Sequence, residues 1–267
     1  MELGYDVKNT WVTKVNPSLK LLLFMLLFSV VIFTHNPNVL VLFTSFCAIV
    51  LFTYSGHPLK YLLLYSSPFV LVFVSSSTAM IFFGKGDITW FQWGLIHITE
   101  ESFYRGLHLG FRALSFAVLG LLFALTTKPV LLFYSLMQQL KLSPRYAYSF
   151  MASIRLMPIM VEEFQTLRHA LKVRGIKEKK GVMGVYQKLM FYSIPLLAQS
   201  IRKAQRIAVA MEAKRFSNLK KRTYYYELTY SRYDVGIIIF FLLIVVMAYV
   251  LGILFPMISI TDVRYYE

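Results

Sequence analysis

Five stretches of this chain are apolar for long enough to cross a lipid bilayer, and that restricts the folds open to it more than any other feature. A spanning helix needs about 20 residues, with a range of about 17–25. The stretches run Pro17–Thr34, Asn38–Tyr54, Leu59–Phe83, Arg105–Leu125 and Val235–Met257. Hydrocarbon offers no water to satisfy backbone groups, so each must be helical. Pro17, Pro37 and Pro58 stand near the starts of the first three, where a missing N–H costs nothing. Pro68 lies inside the third and predicts a kink. Lys8, Lys14 and Lys20 come before the apolar run that begins at Leu21, as they would in a secretory leader, but no small-residue cleavage site follows. A retained first span is expected. Cys47 is the only cysteine, which excludes an intrachain disulfide and a cysteine metal cluster.

Charge is the second constraint, because it is concentrated. The chain carries +15 with only 15% charged residues. Between Lys141 and Arg232 lie 19 of its 28 Lys and Arg and 5 of its 13 Asp and Glu, a net +14. The positive-inside rule therefore places this connection, and the one preceding Lys60, in the cytoplasm. The connection His35–Asn38 has no Lys or Arg, and the one from Gly84 to Tyr104 has Asp87, Glu100 and Glu101 against Lys85. Both belong outside. The expectation is an all-α polytopic membrane protein with about five spans and a cytoplasmic N-terminus. Residues 1–127 form the first four spans, 128–233 the cytoplasmic helices, and 234–267 the last span with an external tail.

The cationic connection has helical order. Val130–Leu142 reads as a short amphipathic helix. Ser143–Pro144 then opens a long one, with Ser as N-cap and Pro at the first position. Its apolar face runs Ile154, Met157, Val161, Phe164, Leu167, Leu171, and it stops at Gly175. A second long helix carries Ile194, Leu197, Ile201, Ala204, Ala208 and Met211 at heptad-like spacing, with Arg202, Lys203 and Arg206 opposite. That spacing predicts close packing against the first helix or the membrane underside. The two helices end in Val173–Arg174–Gly175 and Ala213–Lys214–Arg215–Phe216.

Two long cytoplasmic helices, each finishing in an Ala-Arg-Gly-like triplet between the fourth and fifth spans, resemble the transmembrane T component of energy-coupling factor (ECF) transporters, the CbiQ/EcfT family. The likeness extends to the Asn16–Pro17 entry of the first span and to Ala210–Met211–Glu212–Ala213 before Phe216. It implies a non-catalytic permease subunit of a bacterial plasma-membrane importer, without a cofactor. The triplets Val173, Arg174, Gly175 and Ala213, Lys214, Arg215 would couple to two ATP-binding ATPase subunits. A separate substrate-binding membrane (S) subunit would receive the motion and release its ligand. The second triplet departs from the pattern: Lys214 stands at the arginine position and Arg215 at the glycine. Lysine lacks the planar fork that grips a carboxylate bidentately, so either Lys214 substitutes for arginine or Arg215 supplies the guanidinium one residue later. Lys14–Val15–Asn16–Pro17 and Gly56–His57–Pro58 are similar to T components dedicated to thiamine or its hydroxymethylpyrimidine precursor; cobalt and nickel importers use similar subunits.

Plainer roles compete at several positions. Topology alone attracts Lys and Arg to a cytoplasmic connection, and Lys177, Lys179 and Lys180 suit headgroups or water. Arg174 also complements a helix C-terminus. Arg112, within the fourth span, is placed to snorkel to the outer interface, where His97 and His108 also fall. The five histidines have no ligand spacing, and Glu162–Glu163 point to different helix faces. There is no G-x-x-x-x-G-K-[ST] loop, so ATP hydrolysis belongs to another chain, and no carboxylate falls inside a predicted span. The alternative is a membrane enzyme acting on anionic lipid or polyprenyl phosphate, for which only Glu162, Glu163 and Glu212 are candidate acids. Arg222–Thr223–Tyr224–Tyr225–Tyr226 permits nucleic-acid stacking, but a membrane boundary explains it equally, and no nucleic-acid partner is expected.

Overall fold

The computed structural model describes residues 8–84, 86, 88–93, 96–175, 181–216, 223–256, 258 and 262. A short 3-10 turn, Val12–Lys14, leads into α1 (Pro17–Phe33), α2 (Pro37–Tyr54) and α3 (Leu59–Phe83). A β-hairpin, β1 (Thr89–Trp93) and β2 (Ile96–Thr99), precedes α4 (Glu100–Thr126). Then come α5 (Pro129–Gln139), α6 (Pro144–Val173), α7 (Val182–Ala213) and α8 (Arg232–Leu254). The contacts group into two compact units, Leu136–Glu227 and the residues before and after it.

The second of these units is a membrane bundle. Helices α2, α3, α4 and α8 are long and apolar enough to span; α1 is apolar but has 17 residues, the lower edge of the spanning range. The bundle's core is aromatic and aliphatic: Phe24 and Leu27 of α1, Phe43 and Leu51 of α2, Leu119 and Leu122 of α4, Ile237 and Phe241 of α8. Phe24 meets Phe241 edge-on at 5.5 Å and Phe123 at 5.7 Å. Helix α3 packs mainly on α4. Gly106 and Gly110 of α4 allow that approach, because a Cβ on Gly106 would lie 2.9 Å from the Ser77 carbonyl oxygen and one on Gly110 2.9 Å from the Phe73 ring. Such small-xxx-small spacing is how backbones close in where no water drives association. Much of the remaining α3 surface, including Leu63, Leu64, Val70 and Leu71, is exposed, as a lipid-facing surface must be.

Helix starts are fixed by capping chemistry. Asn16 and Asn36 accept from the Ser18 and Asn38 N–H groups at 3.2 and 2.9 Å, each with Pro next in line. Thr99 and Ser102 form a reciprocal capping box on α4, and Ser231 and Asp234 do so on α8. These boxes start α4 at Glu100 and α8 at Arg232, ahead of the Arg105 and Val235 that hydropathy suggests. Hydropathy reports where lipid begins, not where the helix begins. A consequence is that Glu101 and Asp234, both buried, lie inside first turns of bundle helices. The sequence-based absence of carboxylates from the spans is corrected to that extent. Between α3 and α4 the antiparallel hairpin sets Trp93 opposite Ile96.

Candidate functional site

The two tips end in the same way. At the end of α6, Arg174 (φ −70°, ψ 0°) sends its N–H to the Ala170 carbonyl at 3.0 Å, and Gly175 turns left-handed at φ +69° with its N–H 3.1 Å from the Lys172 oxygen. At the end of α7, Lys214 (φ −83°, ψ 9°) bonds Ala210 at 3.2 Å, and Arg215 turns left-handed at φ +54° with its N–H 2.8 Å from the Glu212 oxygen. By backbone geometry Lys214 therefore occupies the place of Arg174, and Arg215 the place of Gly175. A side chain in the left-handed region costs about 1–2 kcal/mol that glycine avoids. Val173 is 89% exposed, and Arg174, Gly175, Ala213, Lys214 and Arg215 are all exposed too.

The stems behind the tips run antiparallel. Tyr148, early in α6, meets Phe216, just past α7, edge-on at 5.1 Å. Midway, Phe164 faces Tyr192 at 5.2 Å, the Ser200 hydroxyl donates to the Met160 sulfur at 2.8 Å, and the Gln199 amide donates to Glu163 at 3.2 Å. Lys203 pairs with the same Glu163 carboxylate. Its donated hydrogen bond holds that carboxyl below its ordinary pKa, with Gln199 adding to the effect. Helices of 30 and 32 residues are each about 45 Å long. Antiparallel packing sets Arg174 and Lys214 at opposite ends of the pair.

The packing stripe of α7 differs from the expected one. Gln199, Ser200 and Lys203 face α6, whereas Ile194, Leu197 and Ile201 remain exposed. The polar positions one step round the helix make the pairing contacts because they find partners in Met160 and Glu163. Ser143 caps α6 by position, but its side chain makes no capping bond; Pro144 fixes the start. Lys177, Lys179, Lys180 and Arg222 lie outside the described residues, as do Lys85, Asp87 and the side chain of His97.

Three polar residues of the bundle have partners that the sequence did not reveal. Lys20, one of the three N-terminal lysines, is 1% exposed and donates to the Thr126 carbonyl and hydroxyl oxygens at 3.1 and 3.3 Å. The helical position was readable, four residues after the Asn16 cap, but only the tertiary fold supplies Thr126. Arg112 reaches the C-terminal end of α1, donating to the Thr34 carbonyl at 3.2 Å, and contacts His108 Nε2 at 2.8 Å. His108 is buried. The candidate acids stay scattered, with Glu163 committed to Lys203 and Glu162 and Glu212 exposed. Among the described residues no group of His, Cys, Asp and Glu could hold a metal.

Comparison with known proteins gives this architecture a family. Residues 8–225 match the model for CbiQ, described as a cobalt transport protein. The chain belongs to the CbiQ/EcfT family. Its relatives include the energy-coupling factor transporter transmembrane protein EcfT of Streptococcus thermophilus, 26% identical over 256 residues, covering 89% of this chain and 96% of that one. The EcfT of Brevibacillus brevis is 29% identical over 225 residues (80% and 83%), and that of Ruminiclostridium cellulolyticum 26% over 259 residues (92% and 96%). As a CbiQ/EcfT protein the chain is a multi-pass transmembrane component of an ECF transporter, not an enzyme.

Proposed function

We propose that this CbiQ/EcfT protein couples ATP hydrolysis by two partner ATPase subunits to ligand release from a separate substrate-binding membrane subunit. The observation that carries the reading is the pair of matching, exposed, cationic helix ends at opposite ends of α6 and α7. Val173–Arg174–Gly175 engages one ATPase and Ala213–Lys214–Arg215 the other, each pairing with acidic residues in a groove. A charge-assisted hydrogen bond contributes about 1.5–3 kcal/mol, and long helices transmit a displacement instead of absorbing it. Gly175 lets the chain turn at the first tip with little bulk, since nothing among the described residues lies within 4 Å of an added Cβ. The exposed Ile194, Leu197 and Ile201 give an apolar surface for the substrate-binding subunit or the bilayer underside.

On this reading the N-terminus and the α5–α7 segment are cytoplasmic, as the +14 connection requires under the positive-inside rule. The transported ligand is a vitamin, thiamine or its hydroxymethylpyrimidine precursor, supported by the Lys14–Val15–Asn16–Pro17 and Gly56–His57–Pro58 segments. Affinity purification in detergent tests the coupling. The wild-type chain retains two ATPase subunits, and Arg174→Glu reduces the retained ATPase at least tenfold. A wild-type chain that purifies alone from a strain expressing its ATPases contradicts the reading.

A further inference from the structure

The cytoplasmic segment leaves the bundle after Thr126 at the end of α4 and returns at Ser231, the cap of α8. Both of these roots are bonded to the first turn of α1. Lys20 Nζ donates to the Thr126 carbonyl and hydroxyl oxygens at 3.1 and 3.3 Å, closing the last turn of α4. Asp234 accepts the Asn16 N–H with Oδ1 and the Ser231 N–H with Oδ2, both at 2.7 Å. Between them, Asn16 Oδ1 accepts from the Ser135 hydroxyl of α5 at 2.6 Å, and Ser135 Oγ accepts the Ser18 N–H at 3.0 Å. Asn16, Ser18, Lys20, Thr126, Ser135 and Asp234 are each at most 5% exposed. A fully buried ammonium and a fully buried carboxylate are costly to place beside lipid-facing helices. Here their shared occupation is fastening: one turn of α1 holds the end of α4, the middle of α5 and the start of α8.

We propose that Lys20, Asn16 and Asp234 are positioning residues of the coupling mechanism, a clamp that fixes both roots of the cytoplasmic segment while its tips move. This rests on the coupling reading above. A segment driven at its tips delivers work to another subunit only if its roots do not slide; with the clamp open, the same stroke displaces α4 and α8 instead. Buried, mutually bonded groups suit that duty, because such networks hold one arrangement and resist intermediate ones.

The test measures the separation of the roots directly. Spin labels are placed at Lys128 and Tyr230, both exposed, in the full chain with Cys47→Ala and its co-purified ATPases. Distances are compared without nucleotide and with ATP plus vanadate. In the otherwise wild-type chain the root separation changes by no more than about 1–2 Å, an ordinary helix adjustment. In Lys20→Met and in Asp234→Asn it shifts with nucleotide by about 5 Å, the size of a one-turn slip, while ATP hydrolysis stays within about twofold of wild type by the unaltered tips. Lys20→Arg restores the fixed separation. The proposal is overturned if the roots of both variants stay fixed, if their distributions broaden equally with and without nucleotide, or if the wild-type roots themselves move by a turn. A wild-type chain that holds no ATPase strikes the coupling reading instead, and that is evident before any variant is made.

Discussion

The α6 and α7 tips share a backbone and differ in chemistry. Each ends its helix with a cationic C-cap followed by one left-handed residue. At the α6 tip these are Arg174 and Gly175: a planar, permanently charged fork on an unstrained turn. At the α7 tip they are Lys214 and Arg215: a point charge, with a bulky cation forced into the left-handed region. The comparison teaches that a helix ending can be preserved by hydrogen bonding when its side chains are not. It also ranks the two proposed contacts, because a guanidinium grips a carboxylate at two points and an ammonium at one.

Charge reversal breaks that ranking most forcefully. Arg174→Glu is expected to lower ATPase retention at least tenfold, a loss of about 1.4 kcal/mol or more by the tenfold rule. Lys214→Glu is expected to lower it less, about threefold, because Arg215 remains beside it; quantitative pull-down from detergent measures both. Lys214→Arg sharpens the comparison from the other side, making the second tip resemble the first and raising retention by a few fold. Next in size is Arg215→Gly. It removes about 1–2 kcal/mol of left-handed strain and slows amide exchange in the last turn of α7 by about fivefold or more, at the cost of one cation. Gly175→Ala has the opposite sign and speeds exchange at the end of α6.

The smallest effect belongs to the stems. Glu163 is held below its ordinary carboxylate pKa by Lys203, so the pair's contribution is present above the unfolded carboxylate value of about 4.3 and disappears as pH falls through the lower folded value. The pair sits near the surface, so salt weakens it as well. Spin labels across the α6–α7 crossing should report a modest widening at pH 3 relative to pH 7. Glu163→Gln should show the same widening at pH 7 and no further change on acidification.

What the sequence conveyed, and what it withheld, follows from the physics of each region. Spans were legible because lipid demands long unbroken apolar runs, so α2 and α3 fall within a residue of their expected limits. The tips were legible because a helix of 30 residues needs a stop signal, and Gly175 supplies one. The starts of α4 and α8 were misplaced because Thr99–Ser102 and Ser231–Asp234 are polar capping boxes that a hydropathy window reads as loop. The β-hairpin was overlooked because strands of five and four residues leave no periodic trace among aromatic residues. Of the two packings open to the Ile194, Leu197 and Ile201 stripe, the one against α6 is not realised, because Met160 and Glu163 select Ser200, Gln199 and Lys203. The burial of Lys20 was not legible because its partner, Thr126, lies 106 residues away in the chain and no local rule joins them.

Central to this account is that each tip meets its own ATPase subunit. A photo-crosslinking amino acid at Val173, at Ala213, or at both, activated in intact membranes, examines this without purification. The account predicts one adduct with an ATP-binding subunit from either single position and a chain bearing two such subunits from the double. Adducts with lipid alone, or the absence of an ATP-binding subunit from both tips, would contradict it.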